Sequence, residues 1–334
     1  MSIISLFLPP FLLAFCICVS ILFLLEYLRS RFGERVPSFW KRFGGAAIVP
    51  AFVMALLWDP HLVVSRELGI VMVGCVAILF FGLADDVFRF GWKVQFLFQS
   101  ALVALIGWGG MRIYSVPVPF VGSVFFDTLP GGAVLGGIIL FLWVILLMNV
   151  LNWSDGIDGL LPSIALVSSL ILFVLSLFPE VNQPPLGILT MALLGSVSGL
   201  LLFNAPPAKI FSGTAGSFFL GFTLASFAVL SGTKIATALL TLLLPVLDAL
   251  SVIVERLRSG RSPFLGGDFR HLHYRLRELG WSDRRIVFSY ASVTALIGIV
   301  ALLTNPFGKT ISFLSAALLA LTFLTFVRRN VEQK

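Results

Sequence analysis

Charge is scarce in this chain. Only 12% of its 334 residues are Asp, Glu, Lys or Arg, and 58% are hydrophobic. Ordinary soluble domains carry roughly a quarter charged residues. A chain this poor in polar side chains cannot cover its surface in water, which excludes a soluble globular domain. Cysteine is scarce too. Cys16, Cys18 and Cys75 all lie in apolar runs without metal-type spacing to histidine, so they read as packing residues. There is no internal repeat, low-complexity tract or linker.

What fills the chain instead is apolar segments long enough to cross a hydrocarbon core of about 30 Å. Eleven candidates lie near 3–28, 44–58, 68–84, 94–110, 133–149, 161–178, 186–203, 216–232, 235–255, 286–304 and 310–327. The expected fold is all-α, a polytopic membrane protein of ten or eleven transmembrane helices. Residues 1–334 then form a single integral-membrane domain, with no room between spans for a soluble one. The first run has no basic n-region or small-residue cleavage site and reads as a retained helix. If 29–43 faces the cytoplasm, alternate loops there collect nineteen of the 23 basic residues, Arg35 and Lys334 included. Arg66, Arg112, Lys234 and Lys309 fall on the other face. The positive-inside rule then gives N-terminus out and C-terminus in. The net charge of +7 is explained by topology, with a role beside anionic headgroups, and does not point to nucleic acid.

The sixteen acidic residues are therefore informative by position. Asp85 and Asp86 end the third segment. Asp155 and Asp158 follow the fifth, within Asn149-x-x-Asn152-x-x-Asp155-Gly156-x-Asp158-Gly159. His271 and His273, with Arg270 beside them, sit in the largest basic loop. All three clusters fall on the same membrane face. Adjacent carboxylates repel unless a cation neutralises them, and Mg²⁺ is commonly held by one or two carboxylates plus substrate phosphates. A lone Asp pair at a helix end is equally explained by solvation. Four Asn and Asp side chains at a membrane boundary are harder to explain that way. Gly156 and Gly159 suit a tight turn with close backbone approach to a ligand. The histidines, two apart, suit an extended or turn segment, either as an ordinary interfacial pair or as phosphate contacts. Lys209 precedes a glycine-rich turn, Gly213-Thr214-Ala215-Gly216-Ser217, of the kind that holds anions, although such a turn alone is a weak signal.

Together these motifs resemble the polyprenyl-phosphate N-acetylhexosamine-1-phosphate transferases, glycosyltransferases of the family 4 type. Lys41 to Ile48 is similar to that family's early Gly-Gly segment, and Asp85-Asp86 to its acidic pair. Asn149 to Leu160 matches its Asn-x-x-Asn-x-x-Asp-Gly-x-Asp-Gly-Leu signature at every fixed position. Pro206 to Phe211, Pro245-x-x-Asp248, Arg261-Ser262-Pro263-Phe264 and Asp268-x-Arg270-His271-Leu272-His273 follow in family order. The histidine segment is similar to members that use GlcNAc. The phospho-MurNAc-pentapeptide transferases carry three histidines there.

The resemblance implies transfer of an N-acetylhexosamine-1-phosphate from a UDP-sugar, UDP-GlcNAc or a related amino sugar, to polyprenyl (undecaprenyl) phosphate. UMP leaves, and a cell-envelope glycan is started at the cytoplasmic face of a bacterial plasma membrane. It implies Mg²⁺, with Mn²⁺ as the alternative, at Asp85, Asp86 and Asp155. Those three would be catalytic with His271 and His273, and Asn149, Asn152, Asp158, Lys209, Arg270 and Lys93 would bind substrate. Partners would be the UDP-sugar, polyprenyl phosphate and membrane lipid, with a homodimer left open.

Two positions depart from the pattern. Thr214 stands where the family has a metal-binding Asp, and Gln95 where it has a Lys four residues before Gln99. Lys93 lies on another helix face, and Tyr274 replaces a frequent third histidine. A hydroxyl is a far weaker Mg²⁺ ligand than a carboxylate. The alternative reading is thus an impaired member that binds lipid phosphate or nucleotide sugar as a regulator or assembly partner. A transporter is disfavoured, because such proteins place ionisable groups near the bilayer midplane.

Overall fold

The computed structural model describes residues 3–32, 38–118, 122–232, 235–262 and 269–333. Arg35, Lys234, Pro263, Phe264, Asp268 and Lys334, used above for topology and motif, lie outside the described residues. The chain runs through α1 (Ile3–Phe32), α2 (Gly45–Trp58), α3 (Arg66–Phe88), α4 (Trp92–Trp108), β1 (Ser115–Val118), β2 (Gly122–Phe125) and α5 (Gly132–Ser154). It continues with α6 (Leu160–Ser176), α7 (Pro184–Asn204), α8 (Gly213–Leu230), α9 (Ile235–Thr241) and α10 (Leu243–Arg258). The last three helices are α11 (Leu272–Glu278), α12 (Asp283–Leu303) and α13 (Pro306–Glu332).

Each of the eleven apolar segments has a helical counterpart, but not each is one straight span. Among the described residues eight helices have the length and apolarity to cross a membrane, and α9 with α10 would make a ninth span. That ninth segment is bent by 73° at Leu242. Proline explains the break: Pro245 has no N–H to donate to the Thr241 carbonyl, and its ring would crowd that carbonyl. The helix therefore restarts with proline in its first turn, where it is tolerated. Helices α4 and α6 have 17 residues each, a rise of about 25 Å at 1.5 Å per residue. The hairpin of β1 and β2, with Ser115 opposite Phe125 and Val118 opposite Gly122, is an addition to the all-helical expectation.

Packing centres on α8, whose residues from Gly213 to Val229 are all buried. It lies against α3 and α5, while α1 packs on α7 and α2. Lipid offers no hydrophobic drive between helices, so close approach through small residues does that work. A Cβ on Gly82 of α3 would collide with the backbone of Ala215, and one on Gly221 of α8 with the backbone of Met148. These two contacts bring the ends of α3, α5 and α8 together. That is where the acidic residues sit.

Candidate active site

Asp85 and Asp86 occupy the last turn of α3, and the chain reverses immediately after them. Arg89 adopts a left-handed conformation (φ 54°), and its N–H bonds the Asp85 carbonyl at 2.7 Å. The Asp85 carboxylate accepts from the Phe90 N–H at 3.0 Å. It also accepts from Gln95 Nε2 at 3.0 and 3.2 Å, and from Thr214 Oγ1 at 2.7 Å. Asp86 instead faces the start of α8. Both its oxygens accept from the Thr214 N–H, at 3.1 and 3.0 Å, and Arg42 Nε stands 3.5 Å away. A carboxylate at a helix N-terminus is stabilised by the unpaired amides and the helix dipole. Gly213 makes this junction possible. Its φ is +68°, and a Cβ there would strike the Arg42 carbonyl.

Asp155 follows the last residue of α5 and lines the same cleft. Withdrawal from water pushes its carboxyl up to about 7, with the Asp86 charge adding and the Arg42 charge opposing. One turn back, Asn152 Oδ1 accepts from Ser217 Oγ at 2.7 Å. Asn149 Nδ2 donates to Gln99 Oε1 at 2.8 Å.

The neighbouring turn is held by side chains rather than by an open ligand cradle. Asp158 Oδ2 accepts from the Ala208 N–H at 2.9 Å. Gly159 (φ +78°) donates its N–H to Asn204 Oδ1 at 2.9 Å, and Asn204 Nδ2 donates to the Ile210 carbonyl at 2.8 Å. Gly156 lines the cleft, and a Cβ there would meet Tyr274 Oη and His273 Nε2, so it also lets the protein's own histidine segment approach closely.

On the opposite side of the cleft, His271 is buried, and its Nδ1 lies 3.0 Å from Asp248 Oδ2. The other Asp248 oxygen accepts from the Leu272 N–H at 2.8 Å. His271 caps α11 and His273 lies in its first turn, so the pair straddles a junction between turn and helix. Their rings are parallel at 5.7 Å. Burial pulls His273 down to about 4, so it is neutral at pH 7. Arg275 pairs with Glu255 of α10 at 2.6 Å and anchors α11.

These groups surround one cleft of about 860 Å³. Its polar end is formed by Arg42, Asp85, Asn152, Asp155, Arg256 and His271, and its flank by Trp92, Phe96, Leu142 and Ile145 of α4 and α5. Asp86 lies behind Asp85, buried. Five further expected contributors stand outside the lining: Asp158 is engaged by the Ala208 N–H and His273 is buried. Lys209 is exposed and outside the lining; Lys93 is exposed on α4 with its ammonium 5.8 Å from the Trp92 ring; Arg270 does not line the cleft although Phe269 and His271 do. Gln95, not Lys93, reaches Asp85. Residues the sequence reading did not place in the site include Asp248, Arg42, Arg256 and Gln99. Asp248 had a signal, being an acidic residue inside an apolar helix three positions after a proline.

Residues 68–232, from α3 to just beyond α8, match the family described as Glycosyl transferase family 4. Along that stretch the chain resembles glycosyl transferase family 4. Curated relatives bear transferase names. A probable undecaprenyl-phosphate N-acetylglucosaminyl 1-phosphate transferase of Bacillus subtilis is 29% identical, over 78% of this chain and 70% of that protein. The decaprenyl-phosphate N-acetylglucosaminephosphotransferase of Mycobacterium tuberculosis is 28% identical over 91% and 82%. A phospho-N-acetylmuramoyl-pentapeptide-transferase of Symbiobacterium thermophilum is 29% identical over 78% and 80%. The family 4 match thus takes in Asp85, Asp155 and Thr214, while Asp248 and the histidines lie beyond it.

Proposed function

We propose that this protein transfers a sugar-1-phosphate from a UDP-N-acetylhexosamine, UDP-GlcNAc or a close relative, to polyprenyl phosphate. The observation that carries the reading is the shape of the cleft. A polar end of carboxylates, arginines and histidine adjoins an apolar flank on two membrane helices. A soluble nucleotide sugar and a lipid phosphate need such a boundary to meet.

In the reaction an oxygen of the lipid phosphate bonds to the phosphorus that carries the sugar. The bond from that phosphorus to the bridging oxygen breaks, and UMP departs with that oxygen. Catalysis of this kind is alignment plus neutralisation of negative charge. Arg42, Arg89 and Arg256 supply positive charge around the cleft. Asn149 and Asn152, fixed by Gln99 and Ser217, present amides to the nucleotide sugar. Asp248 orients His271 toward the diphosphate.

Mg²⁺ or Mn²⁺, when bound, would neutralise phosphate oxygens. Among the described residues no three His, Cys, Asp or Glu side chains form a ready cation cage. Mg²⁺ needs only one or two carboxylates when phosphates and water complete its shell. The raised carboxyl of Asp155 is the group a cation would return to its charged form. The donor set therefore fits the cation with Asp155 as direct ligand and Asp85 and Asp86 as flanking charges. The excess of basic residues in the loops on this side supports a cytoplasmic position for the cleft, in a bacterial plasma membrane.

The test is UMP release by purified protein from UDP-GlcNAc and undecaprenyl phosphate, with Mg²⁺ and with EDTA. Metal-dependent release is expected. Tight binding of both substrates without release from any of several UDP-sugars would favour the second reading, an impaired member acting as regulator or assembly partner. Thr214 and Gln95, neutral where the family pattern is charged, are the observation behind that second reading.

A further inference from the structure

The two departures from the family pattern meet on one carboxylate. Thr214 comes from α8 and Gln95 from α4, and nothing in the sequence links them. Thr214 Oγ1 donates to Asp85 Oδ2 at 2.7 Å, while Gln95 Nε2 spans both Asp85 oxygens at 3.0 and 3.2 Å. With the Phe90 N–H at 3.0 Å, these contacts use the roughly four lone-pair sites a carboxylate offers. All three donors are neutral, and Asp85 is 5% exposed. A buried carboxylate needs its charge compensated by a cation or by such dipoles. An acidic neighbour at position 214 would add repulsion at hydrogen-bond distance. A basic neighbour at position 95 would cancel it. Exchanging both for a hydroxyl and an amide leaves the local charge unchanged, whereas exchanging one alone does not.

We propose that Thr214 and Gln95 are a matched pair of positioning residues, a neutral clamp that fixes the Asp85 carboxylate and depends on both members being uncharged. The two departures are then one compensated change and not two separate losses. The clamp also accounts for the turn into α4. Asp85 holds Phe90 and Gln95 together, and so sets the angle at which α4 leaves to form the apolar flank.

A charge-restoring cycle tests this on the full-length protein in detergent: wild type, Thr214→Asp, Gln95→Lys and the double variant. The first readout is the unfolding midpoint at pH 8 in EDTA, which needs neither substrate nor cation. Thr214→Asp is expected to lower the midpoint by roughly 5 °C in the wild-type background, and by less than half of that beside Gln95→Lys. The second readout is UMP release, the only part that rests on the proposed function. Thr214→Asp alone is expected to lower kcat ~10-fold, and the double variant to regain most of it with the KM for UDP-sugar unchanged.

Equal midpoint losses in both backgrounds would overturn the clamp. If Thr214→Asp does not fold alone, recovery of folded protein in the double variant supports the pair, and failure of both overturns it. If no protein, wild type included, releases UMP, the transferase reading falls while the midpoints still decide the clamp.

Discussion

The two sides of the cleft hold their reactive groups by opposite means. On the side of α3, α4 and α8, carboxylates are held by neutral donors: a hydroxyl, an amide and backbone N–H groups converge on Asp85, and the start of α8 holds Asp86. On the side of α10 and α11, a carboxylate is the holder, because Asp248 grips the His271 ring and the Leu272 amide. The first side is built on close packing of long helices. The second hangs on a seven-residue helix tied by a few polar contacts. Damage to the first should reach both folding and chemistry, and damage to the second should reach chemistry first.

The largest expected effect comes from Asp155→Asn. It removes the charge at the meeting point of the two sides while keeping the shape. Losing one preorganised electrostatic group costs about 10² to 10³ in kcat, so UMP release should fall that far with the unfolding midpoint nearly unchanged. A loss under tenfold would remove Asp155 from the chemistry.

Next is Gly82→Val, aimed at packing alone. Its side chain would drive into the Ala215 backbone and push α3 off α8. Overpacking of this kind costs about 1–3 kcal/mol or more. The midpoint should drop, and activity should drop with it because Thr214 moves relative to Asp85. The equivalent change at Gly137 of α5, where a Cβ meets nothing within 4 Å, should do neither.

The contrast also explains what the sequence made legible. The eleven apolar runs show where helices form, since every backbone polar group in lipid must bond within its own segment. They could not show the 73° bend, although Pro245 marks it, because hydropathy averages across a break. For the site, Asp85, Asn149, Asn152 and Asp155 stood out as polar residues at apolar helix ends and His271 as a histidine in the largest basic loop, and the fold brings them to one cleft. Lys209 and Lys93 were weaker candidates, one beside a glycine-rich turn and one on another helix face. A lysine in a loop carries the same letter whether it serves topology or a ligand, and only the fold shows that both point elsewhere. Gln95 and Thr214 looked like losses when taken one at a time. Their common target, Asp85, is a contact between α3, α4 and α8, and no local pattern carries such a contact.

A smaller effect is expected from Asp248→Asn, which sharpens the comparison by weakening the holder on the second side. The amide keeps one acceptor for Leu272 or His271 but loses the charge-assisted bond. Hydrogen bonds to charged groups are worth about 1.5–3 kcal/mol, so kcat should fall roughly tenfold to hundredfold. A midpoint loss as large as that of Gly82→Val, with kcat unchanged, would show that the second side is structural.

The last effect is a pH dependence of stability that His273 brings to the second side. His273 sits beside Asp248, which favours its proton, and beside His271 and Arg277, which oppose it. Burial is the largest influence, acts with His271 and Arg277 against Asp248, and draws the folded value down to about 4 from 6.5. Between those values the unfolded chain binds the proton more readily than the folded one. The contribution is thus fully present above about pH 6.5 and is lost as pH falls toward 4, by up to about 3 kcal/mol. Asp155 titrates with the opposite sign, since its raised carboxyl favours the folded state as pH falls. The wild-type midpoint alone would therefore mix the two. The informative quantity is the difference between wild type and His273→Gln, in which the Asp155 contribution cancels. That difference should shift against wild type as the buffer goes from pH 7.5 to 4.5. A constant difference would mean that His273 is not held neutral, and that this side of the cleft is more open to water than its burial indicates.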